Sequence, residues 1–447
     1  MKRVPDQVVV ITGASSGIGR ATALAFAARG AKVVCAARGK QALDTLVAEI
    51  QAAGGTATAV PTDVGDPAAV RALAEAAEQR YGRIDTWVNN AAVGVWGRVE
   101  DITDAEFDKV MRVNFLGQVH GVHAALPALR RAGGGALIGV ASVEGIRAVP
   151  MHAPYTASKF AVRAFYDALR MEMAQEGAPV AVTTVSPASI DTPFFEHARS
   201  RMGAMPKPPP PVYAPEVVAE TIVYAARHPR REILVGGAGV GFMLSQRLAP
   251  ALTDAMFSIR RLGIGAQRTD RPDNGVDNLD GPVDEPGQVR GSHSGRVLRH
   301  SAYTRLIGRR ARPGDVATNA VRRLRRRPGR LGAAAVARAG WGSVLLLAPE
   351  MVLRIAGRAP ATPAAVTVAR VLGARQVAQA VVTVAQPSRP VALAGAAVDA
   401  IHASTDVGLA VASGRWRRIA LIDAAIASVL AASGSLGASG GRGRWRG

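Results

Sequence analysis

The stretch "QVVVITGASSGIGRA", residues 7–21, decides how the first half of this chain folds. Val8, Val9, Val10 and Ile11 form an unbroken β-branched run, the pattern of a strand covered on both faces. The run passes directly into Gly13, Gly17 and Gly19, spaced Gly-x-x-x-Gly-x-Gly, and then into a helical stretch. Glycines at such a turn let the backbone approach a pyrophosphate, which sits where free N–H groups and the helix dipole favour an anion. A nucleotide site is expected here, with Ser15, Ser16 and Ile18 completing the loop.

Outward from this turn, six more apolar runs alternate with helical segments such as 41–53 and 67–80. They are KVVCA (32–36), TATAV (56–60), IDTWV (84–88), ALIGVA (136–141), VAVTTV (180–185) and EILVG (232–236). The alternation predicts βαβ units and an α/β fold, a doubly wound, Rossmann-like parallel sheet of about seven strands. The second strand ends "VVCAARGK". An acid there would hold the ribose hydroxyls of NAD, whereas a cation suits the 2′-phosphate of NADP. Ala37 stands where the acid would be and Arg38 follows, so NADP(H) is expected over NAD(H). The plainer alternative is a solvated side chain, one of 49 arginines.

Residues 5–236 resemble a short-chain dehydrogenase/reductase, with the family's motifs in its order and spacing. "TGASSGIG" resembles the cofactor loop, and "TDV" (62–64) the adenine contact, which implies Asp63 and Val64 at the base. "NNAA" (89–92) resembles the Asn-Asn-Ala-Gly strand end, with Asn90 in the cofactor set and Ala92 replacing the glycine. "SPASIDTPF" (186–194) resembles the segment that seats the nicotinamide, which implies roles for Pro187 and Thr192, with Ala188 in the glycine position. Ser142, Tyr155 and Lys159 match the catalytic serine, tyrosine and lysine, and Asn114 the asparagine that holds a proton-relay water.

The residues themselves argue for the same chemistry. Tyr155 and Lys159 stand four apart in "PYTASKF" (154–160) and share a helical face. A free tyrosine loses its proton near pH 10, and a neighbouring ammonium is expected to lower that value. Ser142 can donate a hydrogen bond to the substrate oxygen. The chain has six lysines against 49 arginines, and arginine cannot relay a proton, so a lysine at 159 is no casual surface charge. The expected reaction is hydride transfer between NADP(H) and a secondary alcohol or ketone. Phe194, Phe195, Met202 and Met205, in the loop 188–212, suggest a hydrophobic substrate, with packing against the body as the equal alternative.

Composition divides the chain. Residues 251–447 hold 29 Arg, no Lys and 12 acids, hence +17, while the first 250 residues carry +4. The expected domains are 1–262, the cofactor-binding domain, 263–304, a flexible linker rich in Gly, Asp, Pro and Asn, 305–330, a basic segment, and 331–438, an apolar helical domain. That last region has helical candidates near 332–356, 363–386, 391–413 and 418–434. Basic clusters beside apolar segments point to a membrane surface or bilayer, and few aromatics argue against nucleic acid. A compact bundle is the alternative. Asp399, His402 and Asp406 share a helix face and suit an inter-helix polar network with Arg375 better than a metal, so no metal site is expected.

The stretch 240–262 suits a pocket wall, a membrane surface or a homo-oligomer contact. One cysteine, Cys35, and no signal-peptide run at the N-terminus lead to a cytoplasmic catalytic domain, associated with membrane if the C-terminal reading holds. The second functional reading is a membrane-anchored nucleotide-sensing or binding module without turnover.

Overall fold

The computed structural model describes residues 1–259, 263–301, 303–304, 330–356, 363–385, 397–400, 403–404 and 428. The run that opens the chain becomes β1 (Val8–Thr12), with all five residues buried. Six more strands join it: β2 (Lys32–Ala37), β3 (Thr56–Pro61), β4 (Thr86–Asn89), β5 (Gly135–Val140), β6 (Val180–Pro187) and β7 (Glu232–Val235). Across the sheet they lie in the order β3-β2-β1-β4-β5-β6-β7, every pairing parallel. Val9 of β1 pairs with Val33 on one side and Thr86 on the other. Strand order reverses between β1 and β4, and at such a point a crevice opens beyond the carboxyl ends of the strands.

Helices cover both faces because a sheet of continuous apolar strands has no face to give to water. One layer holds α1 (Gly17–Ala27) and α2 (Lys40–Ala52), with α7 (Pro215–Arg227) beside them. Phe26, Leu43, Leu46, Val218 and Ile222 make its core. The other layer holds α3 (Pro67–Tyr81), α4 (Asp104–Met111), α5 (Gly117–Arg131) and α6 (Ala153–Gln175). Its core takes in Leu73, Val122, Leu129 and Tyr166. Each such buried Leu, Ile or Phe contributes about 1.5–3 kcal/mol relative to exposure. Cys35 is buried in the first core, and desolvation pushes its thiol up to about 12.

After β7 come α8 (Ala238–Leu248) and α9 (Pro250–Ser258). The stretch 263–301, expected as a flexible linker, packs back onto this body. Leu279 enters the second core at 1% exposure, and Val297–Leu298 pairs in parallel with Val212–Tyr213. Its low apolar content does not prevent this, since carbonyls of Asn278, Leu279 and Gln288 and the carboxylates of Asp277 and Asp280 also hold it.

The chain divides into two units, Met1–Arg310 and Ala311–Gly447. In the second, α10 (Arg330–Leu347), α11 (Pro349–Ala356) and α12 (Pro363–Ala385) are helical, which meets the expectation for the first two candidates. Gly342 and Gly373 let α10 and α12 approach closely: a Cβ at Gly342 would lie 2.8 Å from the Gly373 carbonyl oxygen. Asp399 is fully buried, ion-paired with Arg338, and 3.7 Å from Arg375. His402, Asp406, residues 305–329 and most of 391–438 lie outside the described residues. Among the described residues no helix is long and apolar enough to cross a membrane, so at 332–356 and 363–386 the bilayer reading of the C-terminal region has no support. Ala348 divides the first into two short helices, and the second carries Arg370 and Arg375.

Candidate active site

One cleft of about 300 Å³ lies beyond the strand ends. At one end of it, Gly13 and Gly17 have φ of 66° and 55°, a backbone that side chains rarely adopt. A Cβ at Gly13 would come within 2.7 Å of Ala91 Cα. At Gly19 a Cβ would overlap the Gly13 carbonyl oxygen, so this glycine seats α1 against the turn and does not line the cleft. Asn90 braces the turn from below, its Nδ2 donating to the carbonyls of Thr12 (3.1 Å) and Gly13 (3.2 Å). The turn leads into the N-terminus of α1, where N–H groups and the helix dipole suit an anion. This donor set fits a dinucleotide diphosphate.

Ser15, Ser16, Ile18, Arg38, Asp63, Val64, Pro187 and Thr192 also line the cleft. Asp63 Oδ1 accepts from the Gly65 amide at 2.8 Å. The outer wall comes from 277–292, which the sequence did not mark. The Gly17 amide donates to the Gln288 carbonyl at 2.8 Å, and Arg38 donates to the carbonyls of Asn278 and Leu279. Burial holds the Arg38 guanidinium below its ordinary range, with Asp63 and Asp280 pulling the other way. Arg199 fastens the segment through Asp277 (2.8 Å) and Asp280 (2.7 Å), and those carboxylates hold its proton well above the usual arginine range.

At the other end, Ser142 follows β5, and Tyr155 and Lys159 stand one turn apart on α6. Ser142 Oγ accepts from the Glu144 amide at 3.1 Å. Lys159 is 1% exposed, and its Nζ donates to the Val140 carbonyl at 3.0 Å. Burial pushes its ammonium down to about 8, with Glu144 opposing. Tyr155 is half-buried, and its phenol is pushed above the ordinary range, first by burial and then by Glu144, with a hydrogen bond from Ser142 opposing. The lowering expected from Lys159 is therefore not realised in this arrangement, where desolvation and a carboxylate outweigh the ammonium. Asn114 sits in a π-helical turn (Arg112–Leu116) and does not line the cleft. Its side chain binds both the Val93 amide (2.8 Å) and carbonyl (2.9 Å), and reaches Ser158 Oγ at 3.2 Å.

An aromatic wall flanks Tyr155; the sequence marked Phe194 in it but not Trp96 or His152. His152 is stacked between Tyr155 (4.3 Å between ring centres) and Trp96 (3.6 Å), with Phe194 5.3 Å from Tyr155 and 5.5 Å from Trp96. Gly94 makes room: a Cβ there would meet Trp96 at 2.8 Å and Phe194 at 3.0 Å. Met151, just before His152, holds φ 67°, a strained turn for a side chain of its size. Gln267 links the wall to the 263–301 segment, accepting from Trp96 Nε1 at 3.2 Å and donating to the Pro150 carbonyl at 2.9 Å.

A family profile described as short chain dehydrogenase matches residues 7–203. An uncharacterized oxidoreductase of Bacillus subtilis, YxnA, is 39% identical over 319 residues, covering 69% of this chain and 87% of its own length. The chain belongs to the short-chain dehydrogenase/reductase family. It is an oxidoreductase of that family, and the match to YxnA extends beyond residue 262. Dehydrogenase/reductase SDR family member 7B of Bos taurus is 34% identical, over 58% of this chain and 82% of its own. Among solved structures, a short-chain dehydrogenase/reductase from Burkholderia phymatum in complex with NAD is 30% identical, with a TM-score of 0.52. That likeness covers 57% of this chain and 96% of the other.

Proposed function

We propose that this short-chain dehydrogenase/reductase interconverts a hydrophobic secondary alcohol and its ketone with NADP(H), using Tyr155 as the acid–base group. The observation that carries the reading is the convergence of Ser142, Tyr155 and Lys159 at one end of a cleft whose other end is the Gly13–Gly17 turn. Gly13, Ser15, Ser16, Gly17, Ile18 and the foot of α1 would hold the diphosphate, Arg38 the 2′-phosphate, and Asp63 and Val64 the adenine. Asn90, Pro187, Thr192 and Lys159 would hold the nicotinamide end. When bound, the nicotinamide supplies or accepts the hydride.

The protein's own part is the proton and the oxygen. Ser142 Oγ donates to the substrate oxygen and steadies the charge that develops there. Tyr155 Oη gives its proton to that oxygen in reduction and takes it back in oxidation. Lys159, close beneath the ring, stabilises the phenolate, and Asn114 is assigned the relay water that reconnects Lys159 to solvent. Trp96, His152, Phe194 and Phe195 give the substrate end an apolar lining, which favours a hydrophobic partner. A sensor without turnover would leave the Ser142–Tyr155–Lys159 cluster without a purpose.

The test is cofactor oxidation by the full-length protein against a panel of hydrophobic ketones, with Tyr155→Phe beside it. General acid–base catalysis accounts for about 10²–10⁴-fold in rate. A loss of that order with an unchanged melting curve is expected, and undiminished turnover would overturn the assignment.

A further inference from the structure

Beside the acid–base residues lies a second ionisable pair. His152 is 1% exposed, and its ring plane is 5° from that of Tyr155. Its Nδ1 lies 3.1 Å from Glu144 Oε2, and the same carboxylate oxygen accepts from Thr156 Oγ1 at 2.8 Å. An imidazole held by a carboxylate at Nδ1 keeps a proton there. His152 Nε2 is buried and has no polar partner among the described residues. Nε2 is therefore the ring nitrogen whose proton no hydrogen bond to the protein fixes.

We propose that Glu144 and His152 are a proton-linked positioning pair: the stacked imidazole fixes the plane of Tyr155, and the pair's charge sets the pH range in which Tyr155 exchanges a proton. The inference rests on Tyr155 as the acid–base residue. With Nε2 unprotonated, the pair carries −1 and opposes a phenolate beside it. With Nε2 protonated, the pair is neutral and a cation lies on the face of the phenol ring. The Glu144 charge retains the protons of both Tyr155 and Lys159, so neutralising it releases both at lower pH.

The other charges near this unit are already engaged. Lys159 donates to Val140 from the same helix. Arg147, on the loop between Ser142 and α6, pairs with Asp254 and Gln246. Behind Trp96, Arg199 and Arg201 both pair with Glu106, and the Trp96 indole is held by Gln267.

The test is the pH profile of kcat/KM for oxidation of hydrophobic secondary alcohols with NADP⁺ by the full-length protein. Oxidation needs Tyr155 unprotonated, so activity rises with pH. Glu144→Gln is expected to move that rise about one pH unit down, and Glu144→Asp to restore it. His152→Phe keeps the stack but removes the proton that can neutralise the carboxylate, so it is expected to move the rise up by at most about one unit and never down. Lower rates at every pH with an unmoved rise in both variants would overturn the proposal.

A second readout is independent of turnover. The ring-proton resonances of His152 in the cofactor-free protein should follow pH differently in Glu144→Gln and in wild type. Identical curves would overturn the pairing even if the assay finds no substrate. If Tyr155→Phe keeps full turnover while these curves differ, the fault lies with the function assigned to Tyr155, and the pair itself stands.

Discussion

Lys159 Nζ lies 5.3 Å from the centre of the Tyr155 ring and is buried with the Val140 carbonyl as its hydrogen-bond acceptor. An ammonium so enclosed burdens the fold. Burial has pushed it down to about 8, whereas an unfolded lysine loses its proton near pH 10.4. Between those values the unfolded chain binds the proton and the folded chain does not, so stability rises with pH across that window. Below it the full cost is felt, roughly 3 kcal/mol. Lys159→Met should therefore raise the denaturant midpoint at pH 7 while removing turnover, and the gain should vanish near pH 10.5. Equal midpoints at both pH values would mean the ammonium is better solvated than its surroundings imply.

Arg38 has two demands on it, the expected 2′-phosphate and the carbonyls of Asn278 and Leu279. A charge-assisted hydrogen bond is worth about 1.5–3 kcal/mol, or roughly ten- to a hundredfold. Arg38→Ser should raise KM for NADPH by that factor and leave KM for NADH within about threefold. A parallel rise for both cofactors would assign Arg38 to holding the 277–292 segment alone.

Gly19 is fixed by contact, not by dihedral angle. Gly19→Ala forces a methyl group into the Gly13 carbonyl, and overpacking of this kind costs about 1–3 kcal/mol. Calorimetry should find a lower melting temperature and, by titration, lost dinucleotide binding. Gly241→Ala is the control, since a Cβ there meets nothing within 4 Å. It should be neutral or slightly stabilising.

Ending the chain after residue 262 should destabilise the catalytic unit, because Leu279 would no longer fill its place in the core and Arg199 would lose both aspartates. Loss of the buried leucine alone is worth about 1.5–3 kcal/mol. Thermal melts of residues 1–262 and 1–304 would decide it, and coincident curves would return 263–304 to the status of a linker.

What the sequence disclosed and what it hid follow from where the information is carried. The strands and the glycine turn were legible because burial of Val8–Ile11 and the close approach at Gly13 need particular side chains, or none. Tyr155 and Lys159 were legible as a pair, yet the sign of the phenol's shift was not, since burial and Glu144 belong to three dimensions. The 277–292 wall was hidden because it binds through carbonyls of Asn278, Leu279 and Gln288, which any residue could supply. His152 could have been suspected as a histidine three residues before Tyr155, but its stacking depends on a left-handed turn at Met151 that leaves no mark in composition.

The distance along the chain between Gly17 and Gln288 bears on the order in which the cleft is made during synthesis. The sheet has all its strands once Val235 has emerged, whereas the carbonyl that engages the Gly17 amide emerges about fifty residues later. At translation rates of about 5–20 residues per second, that is a gap of roughly 3–10 s. During this interval the nascent protein has the Gly13–Gly17 turn without the 277–292 wall. A dinucleotide arriving then would meet the turn without the 277–292 wall, whereas each one that binds the finished protein would pass beside it.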